Sequence, residues 1–246
     1  MREHRRRGQA VTVADRAEAL GWVEEGQRRL SQAVDALPAD AVAEPSALPG
    51  WTRGHLLTHL ARNADALVNL LTWARTGIPT PMYTSPDQRA TDIEAGAGRA
   101  LAQQRTDVRE SAARFREAAE ALSDDAWSAT VTSGQGREIP ASEVPWLRAR
   151  EVWLHLVDLR VGAGMDATPP DLAWALVRDV AGWMTARIDA GAELVAEGHG
   201  TIVLGTPPSG ATVTGPPYAL AAWLTGRGGT EQLDVTGELP DLPRWL

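Results

Sequence analysis

Two segments with helical periodicity hold the residues whose types and spacing could do metal chemistry. His55 and His59 are four residues apart in HLLTH (55–59), and Glu151 and His155 are four residues apart in a second, more apolar segment. Four residues make about one helical turn, so each pair projects from one side of its helix. Imidazole and carboxylate groups are common zinc ligands, and facing helices of a bundle often supply them together. The spacing therefore indicates a candidate metal site shared by two helices.

The histidine pair alone is a weak signal. It lacks the intervening glutamate of the metalloprotease motif. The apolar arc of its helix is centred on Leu60 and Ala64, with His59 at the edge of the arc and His55 further out beside Arg62. A histidine on such an edge is more often a hydrogen-bonded core residue than a ligand. This helix alone leaves both interpretations open.

The second segment, EVPWLRAREVWLHLVDLRV (143–161), is apolar almost all round, which is typical of a buried helix. A buried carboxylate costs several kcal/mol unless it has a partner. In one arrangement Glu151 pairs with Arg148, and His155 is hydrogen-bonded in the core. In the other, Glu151 and His155 bind a metal with a third ligand from a neighbouring helix, and His59 is the best candidate for that ligand.

Three nitrogen and oxygen ligands with one open position are typical of a catalytic zinc site, not a structural one. Asp158, three residues after His155, could orient the imidazole from behind, although a solvated aspartate is an equal alternative.

Arg227 stands in TGRGG (225–229), a glycine-flanked turn after a predicted helix. A guanidinium presented in this way suits two-pronged recognition of a carboxylate. Sequence alone favours the alternative, a surface arginine near the carboxyl end of a helix.

Composition excludes several kinds of chemistry. The 246-residue chain has no cysteine, so it has no disulfide, no thiolate ligand and no thiol nucleophile of its own. Lysine is also absent, because all 24 basic residues are arginine, and this excludes Schiff-base chemistry and a P-loop lysine. The net charge of −8 argues against a sequence-independent nucleic-acid binder. No apolar run is long enough to cross a membrane, and no signal-peptide core follows the basic start, so we expect a cytoplasmic protein.

The apolar periodicity predicts four long helices joined by short loops, and hence a four-helix bundle. They are expected at about 12–37, 51–76, 87–122 and 142–162. The third has a potential interruption at Gly96 and Gly98, and Ser142 is expected to cap the fourth. The irregular segment 78–86 is long enough to lie over a site.

The pattern changes after about residue 165 to an α+β one. We expect helices at 171–190 and 217–225 and short strands at 201–205, 211–215 and 232–237. The predicted organisation is a basic flexible tail over 1–11, a helical bundle over 12–164 and a smaller α/β domain over 165–246.

Four motifs in fixed order resemble the family of mycothiol-dependent maleylpyruvate isomerases. They are LPGWTRGHLLTHLARNADALVNLLTWARTGIPTPMYTSP (48–86), ASEVPWLRAREVWLHLVDL (141–159), TGRGG (225–229) and LPRWL (242–246). Each motif is short, but their order and spacing together are specific, and the resemblance runs from about residue 12 to the end of the chain.

The resemblance implies a DinB-like four-helix bundle followed by a small α/β domain, with a divalent metal, normally zinc. The family's metal ligands fall on His59, Glu151 and His155, and its catalytic arginine falls on Arg227. The main difference from the family is the basic tail before residue 12. The resemblance further implies cis–trans isomerisation of maleylpyruvate to fumarylpyruvate in gentisate breakdown. In that reaction a metal-activated thiolate of mycothiol adds to the double bond, the bond rotates, and the thiolate leaves. The absence of cysteine agrees with a thiol supplied from outside the chain.

Two other functions remain open at this stage. A mycothiol S-transferase would use the same metal and thiol to attack toxic electrophiles. A metal-binding regulatory module would need a closed site with four protein ligands, and no cysteine is available to complete one. We expect a monomer whose partners are mycothiol and a small-molecule substrate, with no nucleic acid or membrane partner.

Overall fold

The computed structural model of the chain describes residues 13–85, 87–188, 190–205 and 210–245. The predicted basic tail over 1–11 lies outside these ranges. Within them the α-helices are α1 Arg16–Asp35, α2 Arg53–Thr76, α3 Gln88–Ala97, α4 Leu101–Glu120, α5 Asp124–Trp127, α6 Val144–Asp158, α7 Pro170–Met184 and α8 Pro217–Leu224. The strands are β1 Thr130–Thr132, β2 Glu138–Pro140, β3 Ala192–Ala196, β4 Gly200–Leu204, β5 Ala211–Gly215 and β6 Asp234–Thr236.

Helices α1, α2, α4 and α6 form the four-helix bundle that the sequence predicts. Helix α2 packs against both α4 and α6, and α1 packs mainly against α6. Local signals set the ends of α2: the side chain of Thr52 accepts a hydrogen bond from the backbone N–H of His55, and Gly77 ends the helix in the left-handed conformation at φ 72°. Since α2 contacts two bundle partners, its residues are buried on most sides.

The interruption expected in the third helical segment is confirmed, because α3 ends at Ala97 and α4 begins at Leu101. The predicted cap of the fourth helix is wrong. Ser142 lies in a 3₁₀ turn, and α6 begins two residues later without a side-chain cap, with Pro145 in its first turn. Proline is preferred at that place because it has no N–H to leave unpaired.

Residues 123–141, which the sequence left unassigned, hold helix α5 and the antiparallel hairpin of β1 and β2. Val131 of β1 and Ile139 of β2 face each other and are fully buried beside α2 and α4. The hairpin therefore closes one end of the bundle.

The C-terminal part is a four-stranded sheet, ordered β4-β3-β5-β6, with α7 and α8 packed beside it. Strand β3 runs antiparallel to β4 and parallel to β5, and β5 runs antiparallel to β6. The α+β fold class is confirmed, and the three predicted strands correspond to β4, β5 and β6. Strand β3 was missed, and α7 ends at Met184, earlier than expected.

The sheet part and the bundle share one hydrophobic core. Trp146 and Trp153 of α6 are buried among residues of α7, α8 and the sheet. Asp179 of α7 accepts hydrogen bonds from the indole of Trp146 at 3.0 Å and from Arg150 at 2.8 Å. Helix α6 therefore contacts both parts of the molecule. In the described ranges, no helix has the length and apolar character needed to cross a membrane.

Candidate metal centre

The three residues predicted as metal ligands meet in the bundle interior. Nε2 of His59, on α2, lies 2.8 Å from Oε2 of Glu151, on α6, and Nε2 of His155 lies 3.2 Å from the same oxygen. Each residue offers one ligand atom, and all three atoms lie within 4.8 Å of one another. Two imidazoles and one carboxylate are the donor set of many catalytic zinc sites. The residues present therefore fit a divalent metal.

Burial and mutual contact shift the pKa values of this cluster. Burial lowers the pKa of His59 to about 4 despite its hydrogen bond to Glu151, so this imidazole is neutral at pH 7. Burial would raise the pKa of Glu151, but hydrogen bonds from His155 and His59 outweigh it and hold the pKa well below its usual range. A neutral imidazole and an ionised carboxylate are the forms that bind metal.

A chain of contacts behind His155 reaches the C-terminal part of the molecule. Nδ1 of His155 donates to Oδ2 of Asp158 at 2.8 Å, and Asp158 is 1% exposed. Arg227 grips the same carboxylate with two donors, Nε to Oδ1 at 2.9 Å and Nη2 to Oδ2 at 2.6 Å. Burial would raise the pKa of Asp158, but the bonds from His155 and Arg227 outweigh it and lower the pKa. Asp158 therefore has the geometry to orient His155, and Arg227 lies next to it.

Arg148 does not form the alternative ion pair considered from the sequence. Its Nη1 donates to the backbone oxygen of Leu60 at 2.8 Å and to the side-chain oxygen of Asn63 at 2.9 Å, and its Nη2 donates to Gln27 at 3.4 Å. Burial lowers the pKa of this guanidinium to about 10. In the described part of the chain, the contacts of Glu151 are with the two histidines.

His55 points away from the cluster. Its Nδ1 lies 2.8 Å from Oγ1 of Thr52, and its Nε2 lies 3.3 Å from Oε2 of Glu94 on α3. The ring stacks on Trp51 at a centroid distance of 6.2 Å. His55 thus helps to cap the N-terminus of α2.

Sequence reasoning missed two residues beside the cluster, Trp51 and Arg89. The Trp51 ring lies 5.6 Å from the ring of His59, and the guanidinium of Arg89 lies 5.8 Å from the centre of the Trp51 ring. Nη2 of Arg89 is 3.4 Å from Nδ1 of His59. Trp51 lies within the motif over 48–86 and Arg89 lies three residues after it, but only the packing of α3 against α2 brings Arg89 to the site.

The described part of the irregular segment, residues 78–85, lies beside α2. Asn69 of α2 donates to the backbone oxygens of Pro81 and Met82, at 3.3 and 3.4 Å. Burial raises the pKa of Tyr83, and the nearby Arg89 guanidinium partly opposes that rise. The segment is therefore fastened to α2, with Tyr83 close to Arg89.

The cluster of two histidines and a glutamate inside a four-helix bundle defines a class, the helical-bundle proteins with a candidate divalent-metal site. Two family models match this chain in sequence order. The mycothiol maleylpyruvate isomerase N-terminal domain matches residues 23–160, and the C-terminal domain of the same family matches residues 166–244. The chain belongs to the mycothiol maleylpyruvate isomerase family.

Solved structures agree with this assignment. A crystal structure of the mycothiol-dependent maleylpyruvate isomerase is 34% identical, has a TM-score of 0.86, and covers 96% of this chain and 100% of its own. A histidine-to-alanine mutant of that isomerase matches with the same TM-score and coverage at 33% identity. A search of curated proteins gives no match.

A more distant structure shows the bundle fold alone. YfiT from Bacillus subtilis, described as a probable metal-dependent hydrolase with an unusual four-helix bundle topology, is 15% identical with a TM-score of 0.51. The match covers 64% of this chain and 90% of YfiT.

Proposed function

We propose that this chain is a metal- and mycothiol-dependent isomerase that converts maleylpyruvate to fumarylpyruvate, a step of gentisate breakdown. The observation that carries the proposal is the cluster of His59, Glu151 and His155 in a chain without cysteine that matches the isomerase over nearly its whole length. A cis–trans isomerisation requires the double bond to become single for a moment. Addition and departure of a thiolate achieve this, and the thiol must come from outside the chain.

In this proposal His59, Glu151 and His155 hold the divalent metal. When bound with an open position, such an ion lowers the pKa of a coordinating thiol and so supplies the nucleophile. Glu151 and His59 are already in the forms that bind metal, because Glu151 is ionised and His59 is neutral. Burial would lower the pKa of His155, but hydrogen bonds to Asp158 and Glu151 raise it, so this imidazole must release the proton on Nε2 to bind a metal, while Asp158 fixes its ring through Nδ1. We further propose that the metal is zinc and that the protein is a cytoplasmic monomer.

Arg227 is the proposed catalytic arginine. Its Nε and Nη2 are held by Asp158, and its Nη1 donates to the backbone oxygen of Thr225 at 3.0 Å. A guanidinium has five N–H donors, so two of them have no partner among the described residues. These donors are available to the enolate oxygen that develops when the thiolate adds, and they are fixed in direction before the reaction begins.

The alternative is a mycothiol S-transferase that acts on electrophiles with the same metal site. It differs from the isomerase in what the site holds beside the thiol. In the discriminating experiment, the metal-loaded protein is incubated with mycothiol. The second substrate is either maleylpyruvate or an alkylating electrophile such as monochlorobimane. We expect multiple turnovers of maleylpyruvate without consumption of mycothiol. Stoichiometric loss of mycothiol to the electrophile, with maleylpyruvate unchanged, would identify the transferase.

A further inference from the structure

Arg89 is a cation beside the candidate metal centre that the proposed mechanism does not use. It lies in the first turn of α3, with its guanidinium over the Trp51 ring and 3.4 Å from Nδ1 of His59. Gln88, next to it, is held by Thr84 at 2.9 Å and Asp92 at 2.8 Å, which fixes the start of the helix. Among the described residues no carboxylate forms an ion pair with Arg89, whereas most arginines near the bundle have one.

Arg227 is differently placed. Two of its donors, Nε and Nη2, form the flat two-pronged contact with Asp158. That is the edge with which a guanidinium usually grips a carboxylate. While Asp158 holds this edge, a substrate carboxylate cannot take it. The two arginines beside the centre therefore differ: Arg227 already holds an internal carboxylate, and Arg89 is available for an external one.

The tautomer of His59 strengthens this distinction. In the structure the neutral ring donates from Nε2 to Glu151, so Nδ1 accepts from Arg89. A histidine that gives Nε2 to a metal keeps its proton on Nδ1. Nδ1 then becomes a second donor facing Arg89. The N–H groups of His59 Nδ1 and Arg89 Nη2 then cannot hydrogen-bond to each other, but both can donate to an anion.

We propose that Arg89 is the anchor for a carboxylate of the substrate, with Trp51 supporting the guanidinium from below. The inference rests on the proposed function, which supplies a substrate with two carboxylates. Such a dianion is repelled by a chain of net charge −8 unless a local cation attracts it. A guanidinium that lies 3.4 Å from Nδ1 of His59, and has no carboxylate partner among the described residues, meets that need.

The test compares Arg89→Gln, Arg89→Lys and wild type as metal-loaded proteins, with Arg116→Gln as the matched control. The substitution Arg116→Gln removes the same charge from α4, at a side chain that is 68% exposed. Two quantities are measured: the KM for maleylpyruvate in the presence of mycothiol, and the Kd for succinate by calorimetry without mycothiol. Succinate carries two carboxylates but has no double bond to isomerise, so its binding does not depend on turnover.

For Arg89→Gln we expect both constants to rise by about ten- to a hundredfold, the usual range for a lost charged hydrogen bond, with metal content unchanged. Arg89→Lys should be intermediate, because an ammonium keeps the charge without the planar fork. Unchanged constants in Arg89→Gln, an equal rise in Arg116→Gln, loss of metal from Arg89→Gln, or no succinate binding by wild type would each overturn the anchor. Wild type that binds succinate through Arg89 but does not isomerise maleylpyruvate would refute the proposed function and leave the anchor intact.

Discussion

His55 and His59 lie one turn apart on α2, yet their rings have different partners. His59 is 3% exposed and contacts Glu151, whereas His55 contacts Thr52 and Glu94. At the scale of single residues, this difference decides which histidine can bind a metal. It also shows why spacing alone was insufficient: the choice depends on the neighbouring helix that each ring faces.

Alanine substitution of His59, Glu151 or His155 should therefore remove the metal. We expect the affinity for the metal to fall by about ten- to a hundredfold or more. That range is typical when a residue hydrogen-bonded to a metal ligand is removed, and removal of the ligand itself is the more severe change. His55→Ala is the control and should retain its metal. Metal content after dialysis against a competing chelator measures this. If His55→Ala lost its metal while His59→Ala kept it, the assignment would be reversed.

Arg227→Ala should keep the metal but lose activity by about 100- to 1000-fold, the loss seen when one oxyanion donor is removed. It should also lower the free energy of unfolding by up to about 3–5 kcal/mol, because Asp158 is left buried without its guanidinium. Arg227→Lys should restore activity only in part. Denaturant titration and kcat/KM are measured together.

The double variant Asp158→Asn/Arg227→Ala separates the two effects. It removes the stranded charge, so much of the stability should return while activity stays low. Full activity in Arg227→Ala with its metal in place would contradict the catalytic role.

The contact of His155 with Asp158 predicts how stability depends on pH in the metal-free protein. Hydrogen bonds from His155 and Arg227 outweigh burial and lower the pKa of Asp158, so its contribution is present above the ordinary value of about 3.9 and is lost as the pH falls. Burial would lower the pKa of His155, but hydrogen bonds to Asp158 and Glu151 outweigh it and raise the pKa. That contribution is complete below about pH 6.5 and is lost as the pH rises.

The unfolding free energy of wild type should therefore exceed that of Asp158→Asn most between about pH 4 and 6.5. The difference should shrink on both sides, less on the alkaline side because Arg227 stays charged. A difference that does not vary with pH would mean that this pair is not ionised in the folded state.

At the scale of elements, close contact between α2 and α3 places Arg89. Gly54 of α2 faces the backbone oxygen of Ala97, and a Cβ added at Gly54 would lie 2.1 Å from that oxygen. Gly96 of α3 is as tightly placed against Thr58, where an added Cβ would lie 2.5 Å from Cγ2. The sequence marked Gly96 only as a potential helix interruption, and it gave Gly54 no role, because the contact between α2 and α3 exists only in the folded bundle.

Gly54→Ala should therefore lower the free energy of unfolding by about 1–3 kcal/mol, the usual cost of overpacking. Gly98→Ala is the matched control: it lies just after α3, its φ is −84°, and an added Cβ would meet nothing within 4 Å. Its effect should stay within about 0.5 kcal/mol. Equal effects of the two substitutions on denaturant midpoints would show that α2 and α3 are not in close contact.

The long helices were predictable because apolar periodicity and strong breakers define them. The break near Gly96 and Gly98 and the stop at Gly77 are examples. The missed elements are short or atypical in composition. Strand β3, AELVA, contains two alanines and a glutamate, which are uncommon in strands, and its place in the sheet comes from its pairing with β4 and β5.

At the scale of the whole molecule, the C-terminal part brings an arginine close to His155, a candidate metal ligand far away in the sequence. Hydrogen bonds link Arg227 to Asp158 and Asp158 to His155. They depend on the packing of α6 against the sheet part, in which Trp146 and Trp153 are buried. The meeting of the candidate ligands His59, Glu151 and His155 was predictable, because two ionisable residues on an almost wholly apolar helix require partners. The engagement of Arg227 by Asp158 was not predictable, because it joins residues 69 positions apart.

The most direct test of the proposed isomerase activity is the thiol dependence of the reaction. Metal-loaded wild-type protein is mixed with maleylpyruvate in thiol-free buffer, and fumarylpyruvate formation is followed before and after mycothiol is added. We predict no turnover before the addition, because the chain has no cysteine, and rapid turnover afterwards that disappears when a chelator has removed the metal. Full turnover without any thiol would contradict this prediction.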